Sequence, residues 1–455
     1  MMESNPFKVA KNDLARLGPQ QQHVFLGDVG SLVYMDEKAA GAITPARIFR
    51  EQLKREGNDD TFTFFANRQA SILKSVRLRQ RIRSIRVKKE DAETYEIRWP
   101  RNLGHNIVEM ATTASNDAPI HFPLTSHVMD IILQTRIAPA DRPDYRRNIG
   151  MTPELTSWAT ELPAAVLNIP QPFAYSQAPC KGLKLGMYGT NNDASKITHV
   201  YTLRNQIAEL IQMRRRDSNG EWAFCEPEEI ADHIIYDKPT PEFLDAPELW
   251  GEYSTVFDAE SRDWQTNIRT KPYECFFNEL VEVGKPARNG SELSIGIKGP
   301  YTIRGIYWMA ENEDATRGHV FSNYTTSLDE IDHGRDPITW SSLVRDTEKE
   351  WFKLPSDHHN DGLDVRDGIY HPDEPGYHAN LWCYDLRPGI TNNIDCHYTE
   401  TTLVVYLPSP QHKLHVFVDT LRAHVYRPTL LEVADVPMEM PPPNELQPEQ
   451  LLPPN

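Results

Sequence analysis

Cysteine is rare in this chain, and long apolar runs are missing from it. Five cysteines occur among 455 residues, and no two of them form a Cys-x-x-Cys pair. A sparse, odd set of this kind is typical of reduced, buried thiols, so we expect no disulfide framework. No run approaches the roughly 18 apolar residues of a membrane span. The polar residues 1–12 also lack the apolar region of a secretory signal, so the composition predicts a protein of a reducing, cytosolic setting.

Positive charge and glycine are also in short supply. Lys and Arg number 48 against 65 Asp and Glu, which gives a formal net charge of −17. Proteins that bind nucleic acid gain most of their affinity by neutralising phosphates, so this balance disfavours direct, sequence-specific contact with nucleic acid. The chain has 35 prolines but only 23 glycines. Because proline is excluded from helix interiors and central strands, this excess predicts many short strands joined by long, irregular loops.

Catalytic signatures are missing from the sequence as well. There is no Gly-x-Ser-x-Gly elbow, no phosphate-binding Gly-x-x-x-x-Gly-Lys-Ser/Thr loop, and no Gly-x-Gly-x-x-Gly segment after a strand. No cysteine stands in a recognisable catalytic context. We therefore do not expect an enzyme, and we assign no catalytic, cofactor-binding or metal-ligating residue.

The runs that are present are mostly those of strands, rich in Thr, Val, Ile, Tyr and Phe. Residues 401–407 and 414–419 predict a hairpin, because a turn rich in proline separates two β-branched and aromatic runs. Residues 107–114 and 120–122 predict a second hairpin. The nearly continuous apolar run 303–310 predicts a buried strand.

Helical patterns are few and short. They fall at residues 45–54, 202–215 and 227–235. Because strands do not alternate with long helices, a parallel βαβ architecture is disfavoured and an all-β protein is predicted.

The changes of composition along the chain predict four segments. Residues 1–60 form an N-terminal arm, 61–215 a first β domain, 216–430 a second, and 431–455 a tail that is acidic and rich in proline. The charged, turn-rich stretch around residues 214–220 marks the boundary between the two domains. The tail cannot build a packed core because it has too few apolar residues for one.

One loop carries residue types that bind metals. It contains the possible ligands Asp357, His358, His359, Asp361, Asp364, Asp367, His371 and His378. Imidazole and carboxylate groups can hold zinc or non-haem iron. Their spacing matches neither His-Glu-x-x-His nor a calcium loop, so a polar, solvated loop is the preferred interpretation.

A basic run alternates along a predicted strand, at Arg77, Arg79, Arg81 and Arg83. In a strand these four side chains share one face. One interpretation is contact with the phosphates of a packaged genome. In view of the acidic chain, we prefer pairing with acidic side chains of a neighbouring subunit, or simple solvation.

Three segments follow one another at fixed distances in the first half of the chain. They are Leu103-Gly104-His105-Asn106-Ile107-Val108, Ile149-Gly150-Met151-Thr152-Pro153-Glu154-Leu155 and Ile169-Pro170-Gln171-Pro172-Phe173-Ala174-Tyr175. The ordered set resembles the major capsid proteins of large eukaryotic double-stranded DNA viruses, the assemblage of iridoviruses, phycodnaviruses, asfarviruses and mimiviruses. The resemblance extends over about residues 95–425. By this resemblance the first segment is a strand, and residues 246–253 open the second domain.

The resemblance implies the fold and the assembly. The two domains would be consecutive eight-stranded antiparallel jelly rolls with long loops and a few short helices. Three copies would form a homotrimer, a pseudo-hexagonal capsomer that tiles an icosahedral shell. The implied partners are neighbouring capsomers, penton proteins and minor capsid proteins, the last of which can link the shell to an internal membrane. The implied location is the virion capsid, after synthesis and assembly in the host cytoplasm.

Two other functions stay open on the sequence alone. One is a β-sandwich enzyme or binding protein that takes a metal or a glycan at the histidine-rich loop. The other is a minor capsid protein, although such proteins usually need a single jelly roll.

Overall fold

The computed structural model describes most of residues 45–435. The described ranges are 45–56, 61–66, 70–137, 140–176, 182–185, 196–237, 242–256, 273–298, 302–312, 340–345, 349–355, 380–383, 394–395, 401–407, 412–426 and 431–435. The histidine-rich loop 357–378, the segment 1–44 and the segment 436–455 lie outside them. Their predictions stay predictions.

The first part of the chain, here called the first unit, comprises residues 45–256 and consists mainly of short strands. They are β1 (Pro45–Gln52), β2 (Lys54–Glu56), β3 (Thr61–Phe65), β4 (Ile72–Ile82), β5 (Ile85–Val87), β6 (Tyr95–Arg98), β7 (Val108–Ser115), β8 (Ala118–Pro119), β9 (Glu161–Leu162), β10 (Ala165–Gln171), β11 (Leu183–Lys184), β12 (Ile197–Leu203), β13 (Gln212–Arg216), β14 (Trp222–Phe224), β15 (Ile234–Tyr236) and β16 (Glu248–Val256).

These strands form two main antiparallel sheets. Sheet 1 has the order β1-β16-β4-β10, with β11 beside β4, and sheet 2 has the order β2-β3-β12-β7-β8. Apolar side chains of both sheets, among them Leu78 of β4 and Tyr201 of β12, are fully buried in one core. Two small sheets, β14-β13-β6 and β15-β5-β9, extend the unit. Two sheets packed face to face in this way form a β-sandwich.

The second unit, residues 273–435, has the same kind of architecture. Its strands are β17 (Tyr273–Glu282), β18 (Ala287–Asn289), β19 (Glu292–Ile297), β20 (Thr302–Asn312), β21 (Trp340–Arg345), β22 (Lys349–Pro355), β23 (Asn380–Cys383), β24 (Ile394–Asp395), β25 (Thr401–Tyr406), β26 (His412–Tyr426) and β27 (Leu431–Asp435). Sheet 3 has the order β17-β26-β20-β23, with β24 beside β20 and β27 beside β26, and sheet 4 has the order β18-β19-β25-β21-β22.

The described helices are short and belong to the first unit. They are α1 (Leu103–Ile107), α2 (Ser126–Thr135), α3 (Arg142–Asn148), α4 (Pro153–Thr156), α5 (Ile207–Leu210) and α6 (Pro227–His233), with a 3-10 turn at Ala174–Ser176. Among the residues described, no helix has the length and apolar character needed to cross a membrane.

Sheet 3 is buried on both faces. Along β20, Ile306 and Trp308 face the core of the second unit, while Tyr307 and Met309 belong to the core of the first unit. The same alternation holds on β26, where Val416 and its neighbour Phe417 point to opposite cores. Successive side chains of a strand point to opposite faces, so a sheet covered on both sides has a continuous apolar run. The predicted buried strand at 303–310 is confirmed, and the structure adds that both of its faces are covered.

The two predicted hairpins have different outcomes. The hairpin predicted from residues 107–114 and 120–122 is confirmed only in part, because β7 pairs with β8, so the return strand is Ala118–Pro119 and not residues 120–122. Its two turn residues, Asn116 and Asp117, have φ values of 49° and 66°. Two-residue hairpin turns require such positive φ angles, which Asn and Asp tolerate better than most residues. The predicted C-terminal hairpin is wrong. β25 pairs within sheet 4 and β26 within sheet 3, so the chain crosses between the sheets there.

The helix predictions are also corrected in part. Residues 227–235 contain helix α6 as predicted, but residues 45–54 form the edge strand β1. In residues 202–215 only α5 is helical, because its flanks pair as strands β12 and β13. The leucines and isoleucines of that stretch face a β core, whose burial overrides the helix-like spacing. Residues 103–107 are helix α1, and the predicted strand starts only at Val108.

The sheet pairing reaches beyond the predicted limits of the first domain at both ends. β1 lies before residue 61, and β16 lies after residue 215, yet both pair in sheet 1. Residues 246–253, which the resemblance placed at the opening of the second domain, thus hydrogen-bond within the first unit. The charged stretch 214–220 consists of the end of β13 and the turn that leads into β14, with Gly220 at a φ of 87°.

Candidate functional site

The first two segments of the family resemblance meet at a glycine. The backbone N–H of Gly104 in α1 donates to the carbonyl of Ile149 over 2.8 Å. A Cβ atom at position 104 would lie 2.9 Å from the Cα of Ile149, closer than real contacts of this kind. The following Gly150 has a φ of 91°, a conformation that favours glycine. Both glycines are therefore needed for α1 to pack on the end of α3.

A buried polar network continues from this contact. His105 Nδ1 lies 2.5 Å from Asp130 Oδ1, and His105 Nε2 lies 3.1 Å from the Tyr145 hydroxyl. Asn102 donates from Nδ2 to the other oxygen of Asp130 over 2.5 Å. Burial and the charge of Asp130 raise the pKa of Tyr145, so its hydroxyl stays protonated. We assign the His105 proton to Nδ1, which leaves Nε2 to accept from Tyr145.

This network has groups of the kind found in hydrolases, but its burial points to a structural role. Carboxylate, imidazole and hydroxyl in a row resemble a catalytic triad in composition. The side chains of His105 and Asp130 have no exposed surface, however, so a substrate cannot reach them. The network joins α1, α2 and α3 and fixes their positions beside sheet 2.

The third segment leads from sheet 1 to the junction, the surface where sheet 3 covers the first unit. Ile169 pairs with Leu78 in sheet 1. Phe173 and Tyr175 then stack with ring centroids 5.6 Å apart, and the Tyr175 hydroxyl lies 2.7 Å from His199 Nε2. Burial raises the pKa of Tyr175, and burial together with His121 lowers the pKa of His199 to about 3. At neutral pH the pair is therefore uncharged.

The junction has a polar centre at Glu279 of β17. Its Oε1 accepts from the backbone N–H of Phe122 over 3.0 Å and lies 3.1 Å from His121 Nδ1. Its Oε2 accepts from Arg422 over 2.9 Å. His121 Nε2 of the first unit lies 3.2 Å from His424 Nε2 of the second unit, so the two imidazole rings are in contact. The loop of the first unit that follows β8 thus depends on sheet 3 for partners.

A second polar contact lies along the same face of sheet 3. Arg136, just after α2, forms an ion pair of 2.8 Å with the buried Asp419 of β26. His127 of α2 stacks on His415 at 4.3 Å, and His415 Nδ1 lies 2.7 Å from Glu282 Oε1. Burial opposes ionisation of Glu282, but the hydrogen bond and charge of His415 outweigh it and lower its pKa. Aromatic packing and buried ion pairs together hold the two units in one arrangement.

The arginine stripe lies on the outward face of sheet 1. Arg77, Arg79 and Arg81 are exposed and alternate with buried residues, as predicted for a strand. Arg79 pairs with Glu248 at 3.3 Å, and Arg81 lies 3.9 Å from Asp245.

Arg83 lies just beyond the end of β4, where its Nε donates to Asp245 over 2.8 Å. The acidic partners predicted on a neighbouring subunit are thus found within the same chain for three of the four arginines. Little positive charge is left on this face to attract phosphate.

The remaining predicted ligand positions can be located only in part. The histidine-rich loop, Asp357 to His378, falls outside the described residues. Within the residues that the structure describes, no group of three or more His, Cys, Asp or Glu side chains could hold a metal ion. Cys225 is a buried free thiol, and burial raises its pKa to about 12.

Comparison with known proteins gives relatives of one kind. No protein-family model matches the chain. The chain is 23% identical over 392 residues to the major capsid protein of Lymphocystis disease virus 1 (isolate Darai), covering 82% of this chain and 81% of that protein. It is 23% identical over 324 residues to the major capsid protein of Wiseana iridescent virus, covering 66% of this chain and 63% of that protein.

Solved structures extend the likeness to the fold. The Faustovirus major capsid protein superposes with a TM-score of 0.61 at 8% identity, covering 84% of this chain and 90% of that one. A chain of the PBCV-1 virus capsid superposes with a TM-score of 0.59 at 11% identity, covering 85% and 96%. The predicted all-β class and the consecutive jelly rolls are confirmed, whereas eight strands per jelly roll stays a prediction. The chain is thus similar in sequence to iridovirus major capsid proteins and has the double jelly-roll fold of viral major capsid proteins, as its three motif segments indicated.

Proposed function

We propose that the chain is a structural major capsid protein, which builds a virus shell and has no catalytic role. The observation that carries this proposal is the double jelly-roll fold in a chain whose sequence aligns with a major capsid protein over 82% of its length. The burial of the triad-like network around His105 supports it, because the motif residues serve packing.

The assembly that we propose is a homotrimer. Two similar β-sandwiches in one chain become six in three copies, which gives a pseudo-hexagonal outline that can tile an icosahedral shell. The rigid junction supports this, because a fixed angle between the two units is needed for a fixed capsomer shape. Neighbouring capsomers, penton proteins and minor capsid proteins are the further partners. Virion assembly in the host cytoplasm completes the proposal.

The division into units is also part of the proposal. Strand pairing favours a first jelly roll of residues 45–256 and a second of 273–435, in place of the limits 61–215 and 216–430 drawn from composition. The N-terminal arm then shrinks to residues 1–44 and the tail to 436–455.

The outward face of sheet 1 is the surface that we propose for contact between copies. It carries Ile48 at 55% exposure on β1 and Val166 at 42% exposure on β10, at its two edges. Between them lie the arginine stripe and its acidic partners, charged groups that can give a contact its register. Obligate interfaces of this class bury upwards of about 2,000 Å², so large flat sheet faces suit them.

The test is the mass of the purified protein by light scattering, with negative-stain imaging of the same peak. We expect a species of three times 52.2 kDa with hexagonal outlines. Ile48→Asp should shift the mass towards the monomer, whereas Met110→Asp, at a similarly exposed position of sheet 2, should not. A monomer that never tiles, for the unmodified chain at high concentration, contradicts the proposed assembly.

A further inference from the structure

Arginine and tryptophan side chains alternate on one face of the small sheet β14-β13-β6, where Trp158, from the segment before β9, packs against two of the arginines. The Arg98 guanidinium lies 4.3 Å from the ring centroid of Trp158, and the Arg214 guanidinium lies 4.5 Å from the same ring. Arg214 also lies 4.3 Å from the ring of Trp222, and Arg216 lies 5.9 Å from it. We call these five residues the arginine–tryptophan ladder. Cation–π contacts of this kind order both partners on a surface.

The ladder is fixed in place but open to solvent. Arg98 donates to Gln212 over 2.6 Å, and Arg214 donates to Glu96 over 2.8 Å. Trp158 and Trp222 are both half-exposed, and Arg216 is exposed. Side chains that face each other across paired strands share a face, so Glu96 lies on the ladder side of the sheet. Three guanidinium groups against one carboxylate leave that face positively charged.

The chain itself contains a segment of the opposite character. Residues 436–455 have seven prolines and three glutamates, Glu439, Glu445 and Glu449, and no Lys or Arg. Proline-rich segments in the polyproline II conformation dock on surfaces lined with aromatic rings, because they lose little entropy on binding. Carboxylates form strong hydrogen bonds with guanidinium groups. The ladder offers both kinds of contact on one small sheet.

We propose that residues 436–455 dock on the arginine–tryptophan ladder of their own chain. The last described strand, β27, ends at Asp435, directly before the segment. Twenty residues in an extended proline-rich chain reach about 60 Å. Their starting point is sheet 3, which packs against the first unit. Tethering gives a segment of the same chain an effective concentration near the millimolar range. The same segment from another copy has a lower effective concentration at the ladder, unless assembly holds it equally close to the ladder.

Photo-crosslinking in the full-length protein tests this proposal. The crosslinker p-benzoylphenylalanine replaces Leu446, and mass spectrometry maps the products after irradiation. We expect crosslinks to peptides that contain residues 95–98, 158 or 212–224. In a mixture of 15N-labelled and unlabelled protein, both halves of each product should carry the same isotope. Products without ladder peptides, or products of mixed isotope, would overturn the proposal.

Variants separate docking from chance proximity. Trp158→Ala and Trp222→Ala should each lower the crosslink yield by about tenfold, the effect of losing one favourable aromatic contact. Trp250→Ala is the matched control, because Trp250 is also half-exposed but lies on sheet 1. Replacing Glu439, Glu445 and Glu449 together by Gln should lower the yield and remove its dependence on salt. Unchanged yields in both tryptophan variants, with melting temperatures like that of the parent, would refute the docking site.

Discussion

Two buried histidine networks in the same chain solve the same physical problem in different ways. Inside the first unit, His105 lies between Asp130 and Tyr145, and all its partners come from neighbouring helices. At the junction, His121 lies between Glu279 and His424, both of which come from the other unit. The first network can form while its own unit folds. The second forms only when sheet 3 is in place.

This difference indicates that the His105 network stabilises the fold of the first unit, whereas the His121 network stabilises the contact between the two units. Burying a polar group is costly unless it is hydrogen-bonded, so each network penalises structures in which its partners separate. Loss of the first should therefore unfold the first unit. Loss of the second should leave two folded units with a weaker contact.

The largest effect is expected from Asp130→Ala. It removes the buried carboxylate that His105 Nδ1 and Asn102 Nδ2 contact, and breaking a buried pair of this type costs about 3–5 kcal/mol. Urea denaturation followed by circular dichroism measures the loss. Asp144→Ala is the control, because the ion pair of Asp144 with Arg147 lies within one exposed helix turn. A similar effect of both variants would mean that the network does not stabilise the unit.

Glu279→Ala should have the next largest effect, about 2–3 kcal/mol, because it removes the carboxylate that His121, Arg422 and the backbone N–H of Phe122 contact at the junction. Unlike Asp130→Ala, it should split thermal unfolding into two calorimetric transitions, one for each unit. Glu248→Ala removes a carboxylate from an exposed ion pair and is the control. A single transition shifted to lower temperature would mean that the junction is inseparable from the folding of the units.

Acid should destabilise the protein through His199, which lies beside the junction. The pKa of His199 is about 3 because burial and His121 disfavour its charged form, against about 6.5 for a histidine in an unfolded chain. The unfolded chain therefore takes up the proton first. Stability is greatest above about pH 6.5 and falls towards pH 3, by at most about 1.4 kcal/mol per pH unit.

His199→Gln tests this slope, since glutamine keeps a hydrogen bond to Tyr175 but does not titrate. Urea denaturation at several pH values between 7 and 4 should give a shallower decline for the variant than for the parent. Around pH 8, where His199 is neutral in both the folded and the unfolded chain, the difference in unfolding free energy between the two proteins should not depend on pH. Parallel curves over the whole range would show that His199 does not carry the acid sensitivity.

What could be predicted from sequence differs between these regions for a physical reason. Local patterns predicted the β class, the buried strand β20 and the turn at Asn116, because each depends on neighbours in sequence. The pairing of β25 and β26 could not be predicted, since a crossing between two sheets and a hairpin contain the same strands and the same turn residues. His105 attracted attention only through the family resemblance.

The junction histidines were missed altogether. One signal was present on β26, where His415, Phe417 and Asp419 alternate with Leu414, Val416 and Val418. Polar residues at alternate positions of a long strand usually indicate that this face of the sheet is exposed to solvent. Their burial becomes evident only when His127 and Arg136, nearly 300 residues earlier, are placed against them.

The smallest effect on the free energy of unfolding is expected at the arginine stripe, whose charges are exposed and not buried. Arg79 and Glu248 are both more than a third exposed, and such pairs contribute less than about 1 kcal/mol. Arg79→Ala should therefore leave the free energy of unfolding nearly unchanged, while Asp130→Ala lowers it severely. If the stripe serves contact between copies, Arg79→Ala should weaken the oligomer although it leaves the unfolding free energy nearly unchanged. The weakening should be seen at both low and high salt concentration, because the apolar contacts around Arg79 would no longer be aligned. If Arg79→Ala lowered the unfolding free energy as much as Asp130→Ala does, sheet 1 would depend on its surface charges. Burial would then not explain why the histidine networks stabilise the fold more than the arginine stripe does.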